Sequence, residues 1–232
     1  MEEREWGGVK MNQTCILVLS CDCYDDLWDI FYHCFKKYWP NCTFPIYLAT
    51  ETKSYDKIPT LCVNEPVWTT RIKKTLELLD TKYVIILLDD FFIRSQVNEE
   101  RIQYCIDHFG ENTVMFNFEL EYSPNIKTDL TGFNLRPPMA PYLHSCQPGI
   151  WKRTELINEL KIPQNPWQWE LMRFSTTKKY YINATGNPII DIGNYHQNKF
   201  SIVRGKWARE VIPFLEKEGI NVDYSKRGFF EE

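Results

Sequence analysis

The stretch Tyr83-Val84-Ile85-Ile86-Leu87-Leu88-Asp89-Asp90-Phe91-Phe92 holds the most hydrophobic strand-like run in the chain, and that run ends in two adjacent acids. Six apolar residues without polar alternation, far fewer than a bilayer requires, read as a strand buried on both faces. Strands of that kind belong to largely parallel sheets covered by helices on each side. Asp89 and Asp90 then stand at the carboxyl end of the strand, where the loops of an open α/β sheet gather ligands. Neighbouring carboxylates after so apolar a run are costly unless something positive neutralises them. A divalent cation bridging phosphates would do so, since Mn²⁺ and Mg²⁺ prefer carboxylate and diphosphate oxygens. A helix cap with an ion pair to Arg71 or Arg94 would also account for the pair.

Outward from this strand the pattern alternates. Thr14–Ser20 reads as a first buried strand, and Leu27, Ile30, Phe31, Cys34, Phe35 and Tyr38 then recur at helical spacing until Pro40. Phe44–Ala49 reads as strand two, Thr69–Leu79 as a helix with Ile72, Leu76 and Leu79 on one face, Asn98–Phe109 as a helix stopped by Gly110, and Val114–Phe118 as another strand. Beyond residue 120, prolines punctuate shorter elements, and Lys206–Glu218 reads as a final helix with Trp207, Val211, Phe214 and Leu215 on its apolar face. Together these predict one α/β domain: residues 1–12 a leader, 13–120 a ligand-binding half, and 121–232 a half that faces the second substrate.

Bulk properties bound the function. A chain of 232 residues with 44% hydrophobic and 15% aromatic content can bury a full core. A net charge of -4 gives no overall basic footprint, which argues against nucleic acid as a partner. No apolar run reaches the roughly 20 residues of a membrane span, and Met1-Glu2-Glu3-Arg4-Glu5 is too acidic for a signal peptide. A cytoplasmic protein is expected, with contact at the inner face of the membrane through Phe35, Lys36, Lys37, Tyr38 and Trp39 as one option and a helix core with a solvated edge as the other. The eight cysteines are scattered and read as reduced thiols; Cys21 and Cys23 lack the further ligands of a zinc site. The sequence carries no signal of oligomeric state.

The end of the first strand, Ser20-Cys21-Asp22-Cys23-Tyr24-Asp25-Asp26, offers hydroxyl, carboxylate and aromatic groups that could grip a nucleoside, while Asp25 or Asp26 would cap the next helix. Several such segments in order resemble GT-A glycosyltransferases of bacterial capsule and lipopolysaccharide clusters. These are Ser20, Asp22 and Tyr24; Trp68-x-x-Arg71; Leu88-Asp89-Asp90-Phe91-Phe92; Gln147-Pro148-Gly149-Ile150-Trp151; and Asn165-Pro166-Trp167-Gln168-Trp169-Glu170. The resemblance implies a Rossmann-like, mixed but mostly parallel sheet and a nucleotide-sugar donor, UDP-linked by preference, with a saccharide or lipid-linked saccharide as acceptor. It places Ser20, Asp22, Tyr24 and Arg71 around the donor and puts Asp89 and Asp90 at the D-x-D position, although here the acids are adjacent. Glu170 falls where inverting members carry the catalytic base, with Gln147, Trp167 and Trp169 toward the acceptor. Another reading makes both tryptophans core anchors and Glu170 a first-turn residue favoured by the helix dipole. In the late polar segment, Arg204 and Lys206 would offset leaving-group charge and His196 would join Asp90 on a metal. Arg204 and Lys206 could equally decorate the start of the last helix. Retaining metal-dependent transfer, nucleotidyl transfer and sugar binding without catalysis are the competing functions. Nucleotidyl transfer normally needs a glycine-rich basic loop that Ser20–Asp26 lacks.

Overall fold

Strands apolar at every position need cover on both sides, and alternate side chains of β1 (Thr14–Leu19) and β4 (Tyr83–Leu88) pack into two separate cores. Ile16, Val18, Ile85 and Leu87 meet Phe31, Phe35 and Trp39 of helix α1 (Trp28–Tyr38) and its end. Cys15, Leu17, Val84 and Ile86 meet Ile72 and Leu76 of α2 (Trp68–Glu77) on the other face. The computed structural model describes residues 13–120, 125–193 and 201–231.

The remaining elements are β2 (Ile46–Thr50), β3 (Thr60–Cys62), α3 (Glu99–Asp107), β5 (Thr113–Leu120), β6 (Ile126–Lys127), β7 (Phe133–Leu135), β8 (Gly149–Lys152), α4 (Arg153–Glu159), α5 (Pro166–Leu171), β9 (Lys179–Asn183), a hairpin of β10 (Ile202–Val203) and β11 (Lys206–Trp207), and α6 (Ile212–Glu218). The main sheet runs β3-β2-β1-β4-β8-β5-β9-β7-β6. Among the described strands of this sheet only β7 and β8 run against the others, so it is mixed but mostly parallel, as expected. The chain leaves β1 toward β2 and β3 on one side and returns to β4 on the other. That reversal opens a crevice at the carboxyl ends of β1 and β4.

The halves interlock: β8, from the second half, lies between β4 and β5. Gly149 permits this, because a Cβ there would come within 2.9 Å of the Phe116 carbonyl oxygen. One expectation fails at Lys206–Glu218. Lys206 and Trp207 form a strand, a single 3-10 turn follows at Arg209–Val211, and the helix begins only at Ile212, next to Pro213 in its first turn. Proline is tolerated there and not deeper in a helix, while Trp207, Val211 and Leu215 still share one small core with α1. The aromatic segment after Phe35 belongs to the core as well: Phe35 and Trp39 are buried, and Lys37 and Tyr38 bond Glu218 at 2.6 and 2.7 Å. No helix among the described residues is long and apolar enough to cross a membrane.

Candidate functional site

Ser20, at the end of β1, joins the two strand ends. Its hydroxyl donates to the Asp89 carboxylate and accepts from Trp28 Nε1 at 2.7 Å. The Asp89 backbone N–H also reaches the Leu19 carbonyl at 3.3 Å. Asp89 is therefore locked and buried. Burial above all, with the charge of Asp90 beside it, pushes its carboxyl well above the usual carboxylate range, and the Ser20 bond offsets only part of this.

Asp90 is held differently. Its Oδ1 is buried without a hydrogen-bond partner among the described residues, and burial raises its carboxyl to about 6. The positive charge felt there comes from Arg227. That guanidinium lies 4.2 Å over the Tyr24 ring, forks onto the Asp26 carboxylate, and donates to the carbonyls of Cys23 and Gly205 at 3.0 and 3.3 Å. Burial and the Asp90 charge push the Tyr24 phenol up to about 12. Arg204 and Gly205 form the two-residue turn between β10 and β11, both with positive φ (50° and 80°), and Arg227 ties this hairpin to the crevice. Arg204 and Lys206 are exposed on it.

Asp22 and Arg71 line the β2 side of the crevice and are engaged by the protein. Asp22 accepts from Thr52 N–H and Lys53 N–H, both at 3.0 Å, and from the Thr52 hydroxyl at 2.5 Å. These bonds outweigh burial and hold its carboxyl low. Arg71 is buried and paired with Glu51, whose other oxygen accepts the Asp22 N–H at 2.5 Å.

The second half contributes Glu170 and Cys146. Glu170 is the fifth of six residues of α5, beyond the first turn, so the helix dipole does not explain it. A capping box, Asn165 with Gln168, starts that helix, with Pro166 in its first turn. The Glu170 carboxylate accepts the Cys146 N–H at 2.6 Å, and burial raises its carboxyl above the ordinary value. The Cys146 thiol, itself pushed up by burial, feels the charge of Glu170 beside it and, least of all, that of Asp90. Gln147 follows, half-buried, its N–H on the Ser145 hydroxyl at 3.1 Å. The two tryptophans part company: Trp169 is 2% exposed and stacks on His144 at 4.5 Å, whereas Trp167 is 66% exposed.

The structure thus gathers Ser20, Tyr24, Asp89 and Asp90 at the crevice, with Asp22 and Arg71 at its edge, and sets Glu170 beside Cys146 in the second half. It keeps Trp169 in the core. His196 lies outside the described residues, and among those described no group of three His, Cys, Asp or Glu side chains is placed to hold a metal. Four participants escaped the sequence reading: Trp28, Glu51, Cys146 and Arg227. Arg227 sits 137 positions from Asp90 with no motif around it. Trp28 alone carried a local signal, as the first residue of α1, eight positions after Ser20.

No family model matches the sequence, and no curated protein matches it. Among solved structures the chain is similar to a 1–349 fragment of S. aureus TarS, with TM-score 0.46 and 8% identity over 77% of this chain and 59% of that one. It is also similar to a cytidylyltransferase from Leptospira borgpetersenii, with TM-score 0.43 and 9% identity over 69% and 68%. A third is the bifunctional IspDF of Campylobacter jejuni, with TM-score 0.40 and 14% identity over 66% and 44%. The chain spans less than two thirds of the TarS fragment and of IspDF. At such identities the likeness is one of chain path, not of side chains.

Proposed function

We propose that the chain is a glycosyltransferase of the GT-A type, moving a sugar from a nucleotide-sugar donor, UDP-linked by preference, to a saccharide or lipid-linked saccharide with inversion at the anomeric carbon. The observation that carries this is a buried acid, Asp90, with an oxygen that lacks a partner, at the reversal of strand order where β1 and β4 end. Glu170, in the second half, is held by the backbone N–H and the thiol of Cys146.

The donor nucleoside lies against Tyr24 and the β1 end, with Arg71 at the edge. Glu170 takes the proton of the acceptor hydroxyl as that oxygen attacks; a carboxyl raised by burial is better matched to this task than an ordinary one. Arg204 and Lys206, on a hairpin tied to the crevice through Arg227, lie on the side of the leaving diphosphate. A divalent cation fits only if phosphates complete its shell, since no group of three ligands is present among the described residues and Asp90 offers one buried carboxylate oxygen without a partner. Asp90 would hold it, and it would supply charge neutralisation at the diphosphate. Asp89, occupied by Ser20, sets the shape of the turn.

A thermal-shift and turnover screen of nucleotide sugars, with and without Mn²⁺, tests the class. Stabilisation by one donor family is the expected result. Pyrophosphate release from a nucleoside triphosphate and a sugar phosphate would identify a nucleotidyltransferase instead. Glu170→Gln is expected to lower kcat by about 100-fold or more with donor affinity kept. Turnover near the wild-type rate would remove Glu170 as base, and a retained anomeric configuration would overturn inversion.

A further inference from the structure

Five of the seven large apolar side chains exposed among the described residues fall between positions 139 and 171: Met139, Tyr142, Ile162, Trp167 and Leu171. On α5, Trp167 and Leu171 stand two residues before and after the buried Trp169, about 160° around the helix from it, so they crown the outward face. The strap carrying Ile162 is fastened alongside, Thr69 Oγ1 to the Ile162 carbonyl at 2.9 Å and Gln164 Nε2 to the Gln168 carbonyl at 3.4 Å. Met139 joins from the loop after β7, its N–H on the Phe174 carbonyl at 3.3 Å. Met139 and Tyr142 hold left-handed backbones (φ 62° and 57°) that cost free energy for residues other than glycine, yet both present their side chains to solvent.

The segment that carries this face is basic by count, although Arg136 in it is buried and Lys178 is paired within it. Residues 136–179 contain seven Lys and Arg against three Glu and no Asp, +4 by count in a chain of formal charge -4. The three Glu are occupied, Glu155 and Glu159 by Lys178 and Glu170 by the Cys146 N–H. Lys161 and Arg173, flanking the apolar residues, are exposed. Tryptophan and aliphatic side chains rimmed by cations match the boundary of an anionic bilayer, where rings and aliphatic chains enter the headgroup layer and cations meet lipid phosphates.

We propose that the α5 face docks on an anionic lipid surface, with Ile162, Trp167 and Leu171 in the headgroup boundary and Lys161 and Arg173 on phosphates. Glu170 lies one residue from Leu171, about 100° around the helix, at the border of the docked face. Its purpose rests on the reading of Glu170 given above: a base at that border meets an acceptor carried by a lipid. The docking itself does not depend on it.

Co-sedimentation of the full chain with vesicles of phosphatidylcholine alone, and with about a third phosphatidylglycerol, tests the proposal. Binding at least about tenfold tighter to the anionic vesicles, weakened by salt, is expected. Ile162→Asp with Leu171→Asp should reduce binding at least about tenfold, whereas Leu78→Asp, an exposed leucine just past the end of α2, should leave it unchanged. Lys161→Glu with Arg173→Glu should abolish the preference for anionic lipid. Absence of vesicle binding, or equal loss in the Leu78 variant, overturns the proposal. So does a dimer that the Ile162/Leu171 variant dissolves while vesicles go unbound. Transfer to a soluble acceptor separates the two readings: turnover without vesicle binding defeats the docking alone, and vesicle binding without turnover defeats the enzyme reading alone.

Discussion

Glu155 and Glu159 on α4 share Lys178 at 2.6 and 3.0 Å, and Glu159 also meets His144 at 3.2 Å, whereas at the end of β4 Asp89 takes a serine hydroxyl and Asp90 feels only the charge of the Arg227 guanidinium. Burial would raise Glu159, but its partners overcome this and hold its carboxyl down to about 2. Burial wins at Asp90 and leaves it near 6. Both are acids in poorly solvated places; partner supply separates them. Where a fold surrounds a carboxylate with cations, the acid holds the fold together. Where it buries one and leaves an oxygen without a partner, the acid is a candidate to bind a ligand.

The severest test of this contrast is Asp90→Asn, which keeps the shape and removes the charge. Transfer should fall about a thousandfold, equivalent to about 4 kcal/mol, if the free oxygen faces the donor phosphates directly or through a cation. Turnover within a fewfold of wild type would place Asp90 among structural acids and dissolve the distinction. Glu159→Gln should do the reverse, lowering stability by about 2 kcal/mol at neutral pH in urea unfolding while turnover stays within about twofold. Its carboxyl is depressed in the fold, so its contribution is present above the unfolded value near 4.5 and is lost as pH falls toward 2. The gap between wild type and variant must close over that interval.

Asp90 carries the opposite sign. Its carboxyl ionises less readily in the fold than in the unfolded chain, so the penalty is absent below about pH 4 and grows as pH rises through about 6. Asp90→Asn should therefore be more stable than wild type by about 1 to 2 kcal/mol at pH 7.5 and equal to it near pH 4. A residue whose loss stabilises the fold while abolishing turnover is one the fold keeps for function.

Much of the architecture could be read beforehand because burial on both faces writes itself as unbroken apolar runs. Thr14–Leu19 and Tyr83–Leu88 are legible for that reason, and the turn at Asp89–Asp90 follows from them. The hairpin at Ile202–Trp207 was not legible: Trp207, Val211 and Leu215 fall at helical spacing although Trp207 belongs to a strand, and spacing alone cannot tell a helix from a strand that turns into one. The insertion of β8 between β4 and β5 is likewise a long-range choice that four residues cannot announce. In the candidate site, positions at strand ends could be located in advance, but partners could not. Glu51 for Arg71, Trp28 for Ser20 and Arg227 for Tyr24 are contacts of tertiary structure, and no local periodicity encodes them.

Arg227 allows the finest division of the contrast, because it is the cation nearest to being a partner for Asp90 without bonding it. Arg227→Lys keeps the charge but loses the fork on Asp26 and the planar stack on Tyr24, neither of which an ammonium reproduces. If Arg227 acts on the crevice mainly through its charge, donor affinity should drop only about twofold, with stability lowered by well under 1 kcal/mol. If it acts by fastening Tyr24 and the Arg204–Gly205 turn, donor affinity should fall about fivefold to tenfold, with kcat nearly unchanged once donor is saturating. The second outcome is expected, since four bonds and a stacked ring fix the guanidinium to the rim while only a long-range charge reaches Asp90. Calorimetric titration with the donor found in the screen measures it. A loss of kcat at saturating donor would instead make Arg227 part of the charge balance at Asp90, and the line between the satisfied and the unsatisfied pair would have to be redrawn to include it.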